Sequence, residues 1–128
     1  MADERFGFER LEVWQRAVRF ASLVYEMTKV FPRDELFGLT TQLRRASVSV
    51  AANIAEGASR TSRKDQARFF EIAYGSLNEM ATMFHIASLQ ALITEDMLTR
   101  ARNDILKMCM MLSGLKRAAL GGERNDST

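Results

Sequence analysis

The sequence has few of the residues on which disulfides, metal sites and most catalytic centres depend. Its single cysteine, Cys109, and single histidine, His85, exclude an intramolecular disulfide and a zinc site built from several such ligands. It has no Glu-x-x-His pair, no Walker-type glycine loop and no nucleophile–base motif. We therefore expect no enzyme activity, no cofactor, no metal and no small-molecule substrate, with His85 and Cys109 in structural roles.

Long apolar runs and helix-breaking residues are also scarce. No segment approaches the roughly 18 consecutive apolar residues of a membrane span. The charged stretch 1–10 lacks the apolar core of a signal peptide, and a lone cysteine fits a reducing compartment. We therefore expect a cytoplasmic protein that does not contact a membrane. The only proline, Pro32, cannot continue a helix interior and predicts the end of a first helix.

Apolar residues instead recur at helical spacing in four segments. Steps of three and four residues predict helices over about 11–30, 35–56, 63–91 and 95–119. With short connections, these predict an all-α fold, an antiparallel up-down-up-down four-helix bundle, as a single domain over residues 1–120. The glycine pair at 121–122 predicts the end of the last helix, and residues 121–128 are expected to form a flexible tail.

The second segment has an unusual composition. Its predicted core face consists of Leu36, Leu39, Leu43, Ala46, Ser47, Val50 and Ile54. Residues 46–55 include nothing larger than Val, Asn or Ile, so a neighbouring helix can approach closely. Gly57 is predicted to end the helix in the left-handed conformation. Asn53 and Glu56 have three interpretations. They form hydrogen bonds and ion pairs within the fold, with Arg60, Arg63 or Lys64 as the partner of Glu56; or they belong to a functional site; or they form a clamp between subunits.

The first and third segments carry more apolar residues than one face of a helix needs. Each has two adjacent apolar lines, whereas an amphipathic helix requires only one arc of about 100°. Large exposed apolar patches are unusual on monomers. We therefore predict a homo-oligomer whose interface uses these flanks.

Charge is unevenly distributed along the chain. Residues 44–68 carry six basic and two acidic side chains, whereas residues 69–99 carry four acidic and no Lys or Arg. Cations near a helix N-terminus can hold phosphate, and the candidate nucleic-acid-binding residues are Arg44, Arg45, Arg60, Arg63, Lys64 and Arg68. The alternative is a solvated face that forms salt bridges with Glu56, Asp65 or a neighbouring subunit. No aromatic residue is predicted on that face to stack bases.

Several short motifs between about residues 8 and 90 resemble one known family. They are Leu-Glu-Val-Trp at 11–14, Phe-Pro at 31–32, Gln-Leu-Arg-Arg-Ala at 42–46, Asn-Ile-Ala-Glu-Gly at 53–57 and Gly-Ser-Leu at 75–77. With these the chain resembles the four-helix-bundle proteins encoded in intervening sequences of bacterial 23S ribosomal RNA genes. The resemblance implies an antiparallel bundle that assembles as a ring-shaped homopentamer. It implies no known activity, although the genomic setting suggests nucleic-acid binding.

Two functions remain open from the sequence. The first is a non-enzymatic, oligomeric accessory protein that binds RNA or DNA through the basic residues near the second and third helices. The alternative is a protein-binding scaffold that uses the ring or its apolar flanks and has no nucleic-acid role.

Overall fold

The computed structural model describes the backbone of residues 3–126 and the side chains of residues 3–121. Helix α1 is Glu12–Thr28, α2 is Thr41–Ser59, α3 is Arg63–Leu89 and α4 is Glu95–Asp126. A 3-10 turn at Gly7–Arg10 precedes α1, and a 3-10 turn at Arg33–Glu35 followed by a π turn at Leu36–Thr40 leads into α2. The described residues contain no strand, so the all-α prediction is confirmed.

Consecutive helices are antiparallel neighbours. Between α2 and α3, Ser49 lies beside Ser76 while Gly57, two turns further along α2, meets Phe70, earlier in α3. Helices α3 and α4 are related in the same way, because His85 contacts Arg102 and Glu71 pairs with Lys116. Helix α1 packs mainly against α2 and touches α4 at few points. The four helices therefore form the predicted bundle, with its loosest side between α1 and α4.

The core is one continuous apolar cluster to which every helix contributes. Its most enclosed large side chains are Val24, Leu43, Ile54, Leu77, Met80, Phe84, Met108 and Leu112. Burying a side chain of this size stabilises the fold by about 1.5–3 kcal/mol. Of the two apolar lines predicted on α1, the one through Val13 and Phe20 is buried, and the one through Val18 and Tyr25 lies at the surface.

Polar side chains cap α3 and α4 as the sequence predicts. The Ser62 hydroxyl accepts a hydrogen bond from the backbone N–H of Asp65 at 3.3 Å, and the Thr94 hydroxyl accepts one from Met97 at 3.1 Å. Each cap satisfies a backbone donor that the first helical turn leaves unpaired. The predicted starts of both helices are therefore confirmed.

Helix α3 ends in a tight reversal centred on Ala91. The N–H of Leu92 donates to the carbonyl of Ala87 at 2.9 Å, and the N–H of Ala91 donates to Ser88 at 3.0 Å. This pair of bonds defines a Schellman motif, which places its central residue in the left-handed region. Ala91 accordingly has φ of 57°, at a position that glycine usually occupies.

The predicted start of the second helix is wrong. The helix was expected from about residue 35, but residues 36–40 form a π turn in which Gly38 adopts φ −107° and ψ −116°. This break shifts the helical phase, so Leu36 is exposed instead of facing the core, and Phe37 is 90% exposed. The α-helix begins only at Thr41.

The predicted role of Gly57 is also wrong. Helix α2 continues to Ser59, and none of the glycines in the described part has a positive φ. Gly57 is instead a buried helical residue at which α2 and α3 cross. Glycine is needed at this position because a side chain would leave no space for the neighbouring helix. It is not needed for the left-handed backbone conformation that the sequence pattern indicated.

Helix α4 extends beyond its predicted end at Ala119, through the glycine pair to Asp126. Glycine in a helix costs about 1 kcal/mol relative to alanine, and without a proline a helix can continue through it. The flexible tail over 121–128 stays a prediction, and Ser127 and Thr128 lie outside the described residues. No helix described here combines the length and apolar character that crossing a membrane requires.

Candidate nucleic-acid interface

The six candidate cations occupy two separate places on the bundle. Arg44 and Arg45 lie in the first turn of α2, and Arg60 follows its last residue. At 1.5 Å per residue, Arg44 and Arg60 are about 24 Å apart along the helix axis. Arg63, Lys64 and Arg68 lie in the first two turns of α3, on the Arg60 side. One continuous patch of six cations is therefore not formed.

Arg44 links α1 to α2. Its Nε donates to the hydroxyl of Thr28 at 2.9 Å, and its guanidinium lies 4.8 Å from the centre of the Tyr25 ring. The buried Thr28 hydroxyl in turn donates to the carbonyl of Val24 at 2.7 Å. Arg44 is half-buried, and these contacts hold its guanidinium against α1, with both Nη groups still available as donors. Arg45 is exposed beside it and lines a shallow groove with Tyr25 and Val48.

The second group surrounds an aromatic ring. The guanidinium carbons of Arg60 and Arg68 each lie 4.9 Å from the centre of the Phe69 ring. A cation over an aromatic face gains about 0.5–1 kcal/mol at exposed sites. Arg60 is also held by Glu56, whose carboxylate lies 2.8 Å from its Nη2. Phe69 is half-buried, so its ring is held in place by the surrounding residues. The ring in turn holds both guanidiniums at the corner where α2 meets α3.

The backbone of this corner is held by contacts on both helices. The side-chain amide of Gln66 donates to the carbonyl of Arg60 at 2.8 Å, which ties the connection to α3. A Cβ on Gly57 would lie 3.1 Å from Cβ of Phe69, so the two helices approach closely just before Arg60. Arg60 and Phe69 therefore lie on a rigid junction.

Arg63 and Lys64 extend this group along the first turn of α3. Both are exposed and form no ion pair within the described residues. Unpaired backbone N–H groups and the helix dipole add positive potential at a helix start. We call Arg60, Arg63, Lys64 and Arg68 the basic corner. It can hold phosphate oxygens, and the Phe69 ring is already in contact with two guanidiniums.

The polar pair on α2 makes contacts within the fold. The side-chain amide of Asn53 donates to the carbonyl of Ser49 at 2.9 Å and to its hydroxyl at 3.0 Å. The Ser49 hydroxyl lies 3.4 Å from that of Ser76 on α3. Of the three partners considered for Glu56, the structure selects Arg60.

The remaining single residues show no catalytic geometry. His85 is exposed and its Nε2 contacts the guanidinium of Arg102. Cys109 is buried, and burial raises the pKa of its thiol above the ordinary value. Within the described residues, no three His, Cys, Asp or Glu side chains come together as a metal site would require.

Phe69, which supports two guanidiniums of the basic corner, was not predicted from the sequence as part of this site. By helical spacing Phe69 is one of the residues that widen the apolar stripe of α3, so the sequence predicts no aromatic on the basic face. A signal was present, because Phe69 directly follows Arg68 and lies at the margin of that stripe. A residue at such a margin can cover the core with one edge and support a cation with its face.

Comparisons with known proteins agree with this fold. A family model described as 23S rRNA-intervening sequence protein matches residues 9–114, most of the chain. The chain belongs to the 23S rRNA-intervening sequence protein family. The expected resemblance is thereby confirmed, and the matched range in this family member includes all of α1, α2 and α3 and most of α4.

A solved crystal structure is also similar to this family member. It is that of a protein with unknown function from the S23 ribosomal protein family of Bacteroides thetaiotaomicron. The two chains are 23% identical with a TM-score of 0.76, and the match covers 82% of this chain and 95% of the other. This likeness supports the fold alone. A comparison with curated proteins gives no match.

Proposed function

We propose that the protein is a non-enzymatic, oligomeric accessory protein that binds RNA or DNA through the basic corner. The observation that carries this proposal is the pair of guanidiniums held on Phe69 beside two exposed cations at a helix start. Positioned cations of this kind contact phosphates and read no bases. The binding is therefore expected to be electrostatic and to show little sequence preference.

The second part of the proposal is assembly into a ring of identical subunits, with five as the expected number. Exposed apolar side chains on α1 and α3 support it: Val18, Tyr25, Ile72, Tyr74, Ile86 and Leu89. In a ring each subunit would contribute one basic corner, and the copies would bind one nucleic acid together. Size-exclusion chromatography with light scattering tests the assembly, and a single 14.5 kDa species would contradict it.

Fluorescence anisotropy with labelled structured RNA and duplex DNA at low salt tests the binding. The test variant combines Arg63→Gln and Lys64→Gln, two exposed substitutions that leave the Phe69 contacts intact. A matched control combines Lys29→Gln and Lys107→Gln, which removes the same charge from exposed sites elsewhere. The proposal predicts weaker binding for the test variant only. Equal loss in both variants, or no wild-type binding, would overturn it.

A second candidate is a protein-binding scaffold in the cytoplasm. Its supporting observation is the connection between α1 and α2, where Val30 is 78% exposed and Phe37 is 90% exposed. Exposed apolar groups of this size are common at protein interfaces. A pull-down from native lysate separates the two functions. The scaffold would be favoured if the protein captures a protein partner and no nucleic acid, and if Phe37→Ser abolishes the binding of that partner.

A further inference from the structure

A groove between α1 and α4 lies on the opposite side of the bundle from the basic corner. It follows from the sparse contact between these helices and has a volume of about 250 Å³. Arg16 and Arg19 of α1 and Arg100 of α4 line it, with Asp104 as the only acidic lining residue. The lining therefore carries three positive charges against one negative charge.

The arginines from α1 are held in place by their own helix. Arg16 donates to the carboxylate of Glu12 through Nε and Nη2, each at 3.3 Å. The Nε of Arg19 donates to the backbone carbonyl of Gln15 at 3.3 Å, which leaves the rest of its guanidinium available. Donors fixed in this way lose less entropy when an anion binds.

Arg100 is exposed on the other wall of the groove, where Asp104 lies one turn along α4. Neither they nor Arg19 form an ion pair with any residue in the described part of the chain. Arg100 could neutralise Asp104 by a change of rotamer, and Glu12 already pairs with Arg16, which leaves Arg19 as the surplus positive charge. A groove with this surplus favours an anionic ligand.

The floor of the groove is apolar. Phe20 and Met108 are buried core residues that line it, together with the half-buried Leu23. Phe20 is 4% and Met108 1% exposed, so Leu23 provides most of the open apolar surface of the floor. Guanidiniums at the edge and an apolar floor suit a ligand with a charged end and a small apolar body. The volume is that of a single small molecule and too small for a helix or a strand.

We propose that this groove binds a small organic phosphate, with the phosphate between Arg19 and Arg100 and its organic part against Leu23, above Phe20 and Met108. Phosphate matches the planar donors of guanidinium, which bind it in a bidentate manner. The proposal is independent of the basic corner, since the two sites share no residue.

Methyl NMR with ¹³C-methionine tests the proposal, because Met108 reports from the floor and Met108→Leu assigns its signal. Adenosine 5′-monophosphate is the probe. Adenosine and inorganic phosphate, its two parts, are tested separately. The mononucleotide should shift the Met108 signal with saturation, and adenosine should bind about tenfold more weakly or not at all. Equal affinity for adenosine, or no Met108 shift up to about 10 mM mononucleotide, would overturn the proposal.

Two single substitutions identify the charges involved. Arg100→Gln and Arg19→Gln should each raise the Kd for the mononucleotide about tenfold, since each removes a charged hydrogen-bond donor. Arg117→Gln, at an exposed position of the same helix outside the groove lining, is the charge-matched control and should leave the Kd unchanged. Both arginines are exposed, so the fold should persist, as circular dichroism would show. An unchanged Kd in both variants would assign the binding to another surface and reject the groove.

Discussion

A Cβ atom on Gly57 would lie 2.8 Å from Cε1 of Phe70. The backbone of α2 at Gly57 thus packs directly against the Phe70 ring of α3. The same approach places Phe69, the residue just before Phe70 in α3, under the guanidiniums of Arg60 and Arg68. The geometry of the basic corner therefore depends on a position without a side chain.

Gly57→Ala should destabilise the fold by about 1–3 kcal/mol, because the added methyl group overpacks the crossing of α2 and α3. Urea unfolding measures the change. Gly75→Ala is the matched control, since Gly75 is in α3 and its Cβ would meet no atom within 4 Å. The control should stabilise the fold by about 0.5–1 kcal/mol through helix propensity alone. A stabilising Gly57→Ala would contradict the close crossing.

Ala91→Gly should stabilise the protein by about 0.5–1 kcal/mol. The left-handed conformation of Ala91 costs an L-residue about 1–2 kcal/mol, and part of the gain is lost to the greater freedom of glycine in the unfolded chain. Ala52→Gly, at an exposed position inside α2, should instead destabilise by about 1 kcal/mol. Thermal unfolding of the two variants would show opposite shifts, and a loss of stability in both would disprove the left-handed end of α3.

Arg44→Met should lower stability by about 1–2 kcal/mol and leave nucleic-acid affinity unchanged. The substitution removes the hydrogen bond to Thr28 and the contact with the Tyr25 ring, neither of which belongs to the basic corner. Arg45→Gln, at the exposed neighbouring position, should change stability by less than about 0.5 kcal/mol. A large loss of RNA affinity in Arg44→Met would show that Arg44 belongs to the nucleic-acid-binding surface.

Cys109 should react slowly with iodoacetamide in the native protein. Burial raises the pKa of its thiol above the ordinary value of 9.0, so less thiolate is present at pH 8 and access is blocked. Because the folded pKa exceeds the unfolded one, the thiol contribution to stability is full below about pH 9 and declines as the pH rises further. Labelling in native buffer and in urea should differ by at least about tenfold, and equal rates would show an exposed thiol.

Much of the fold could be predicted because it depends on local patterns. Leu43, Val50 and Ile54 recur at helical spacing, and Ser62 and Thr94 cap their helices through neighbours three residues away. The helical spacing predicts a buried Leu36, but this residue is exposed because the π turn changes the phase of the helix there. Gly38 is the one residue in that segment that indicates a break, and it does not specify a π turn.

The candidate site was less predictable, because it depends on contacts between helices. Sequence charge groups Arg44 with Arg60, although about 24 Å of helix α2 separates them. Their partners on other helices, Thr28 for Arg44 and Phe69 for Arg60, have no local sequence pattern. Gly57 was read as a helix end, since sequence alone cannot distinguish a glycine needed for conformation from one needed for space. The groove lined by Arg19 and Arg100 joins residues some 80 positions apart and has no local pattern.

The salt dependence of RNA binding tests the central proposal most directly. Log Kobs plotted against log salt concentration has a slope that counts the phosphates neutralised by the protein. The basic corner predicts that Arg63→Gln with Lys64→Gln reduces the magnitude of this slope by about two for each corner that contacts the nucleic acid, one for each lost cation. Lys29→Gln with Lys107→Gln should preserve it. An unchanged slope in the first variant, or an equal reduction in both, would contradict phosphate binding at this corner.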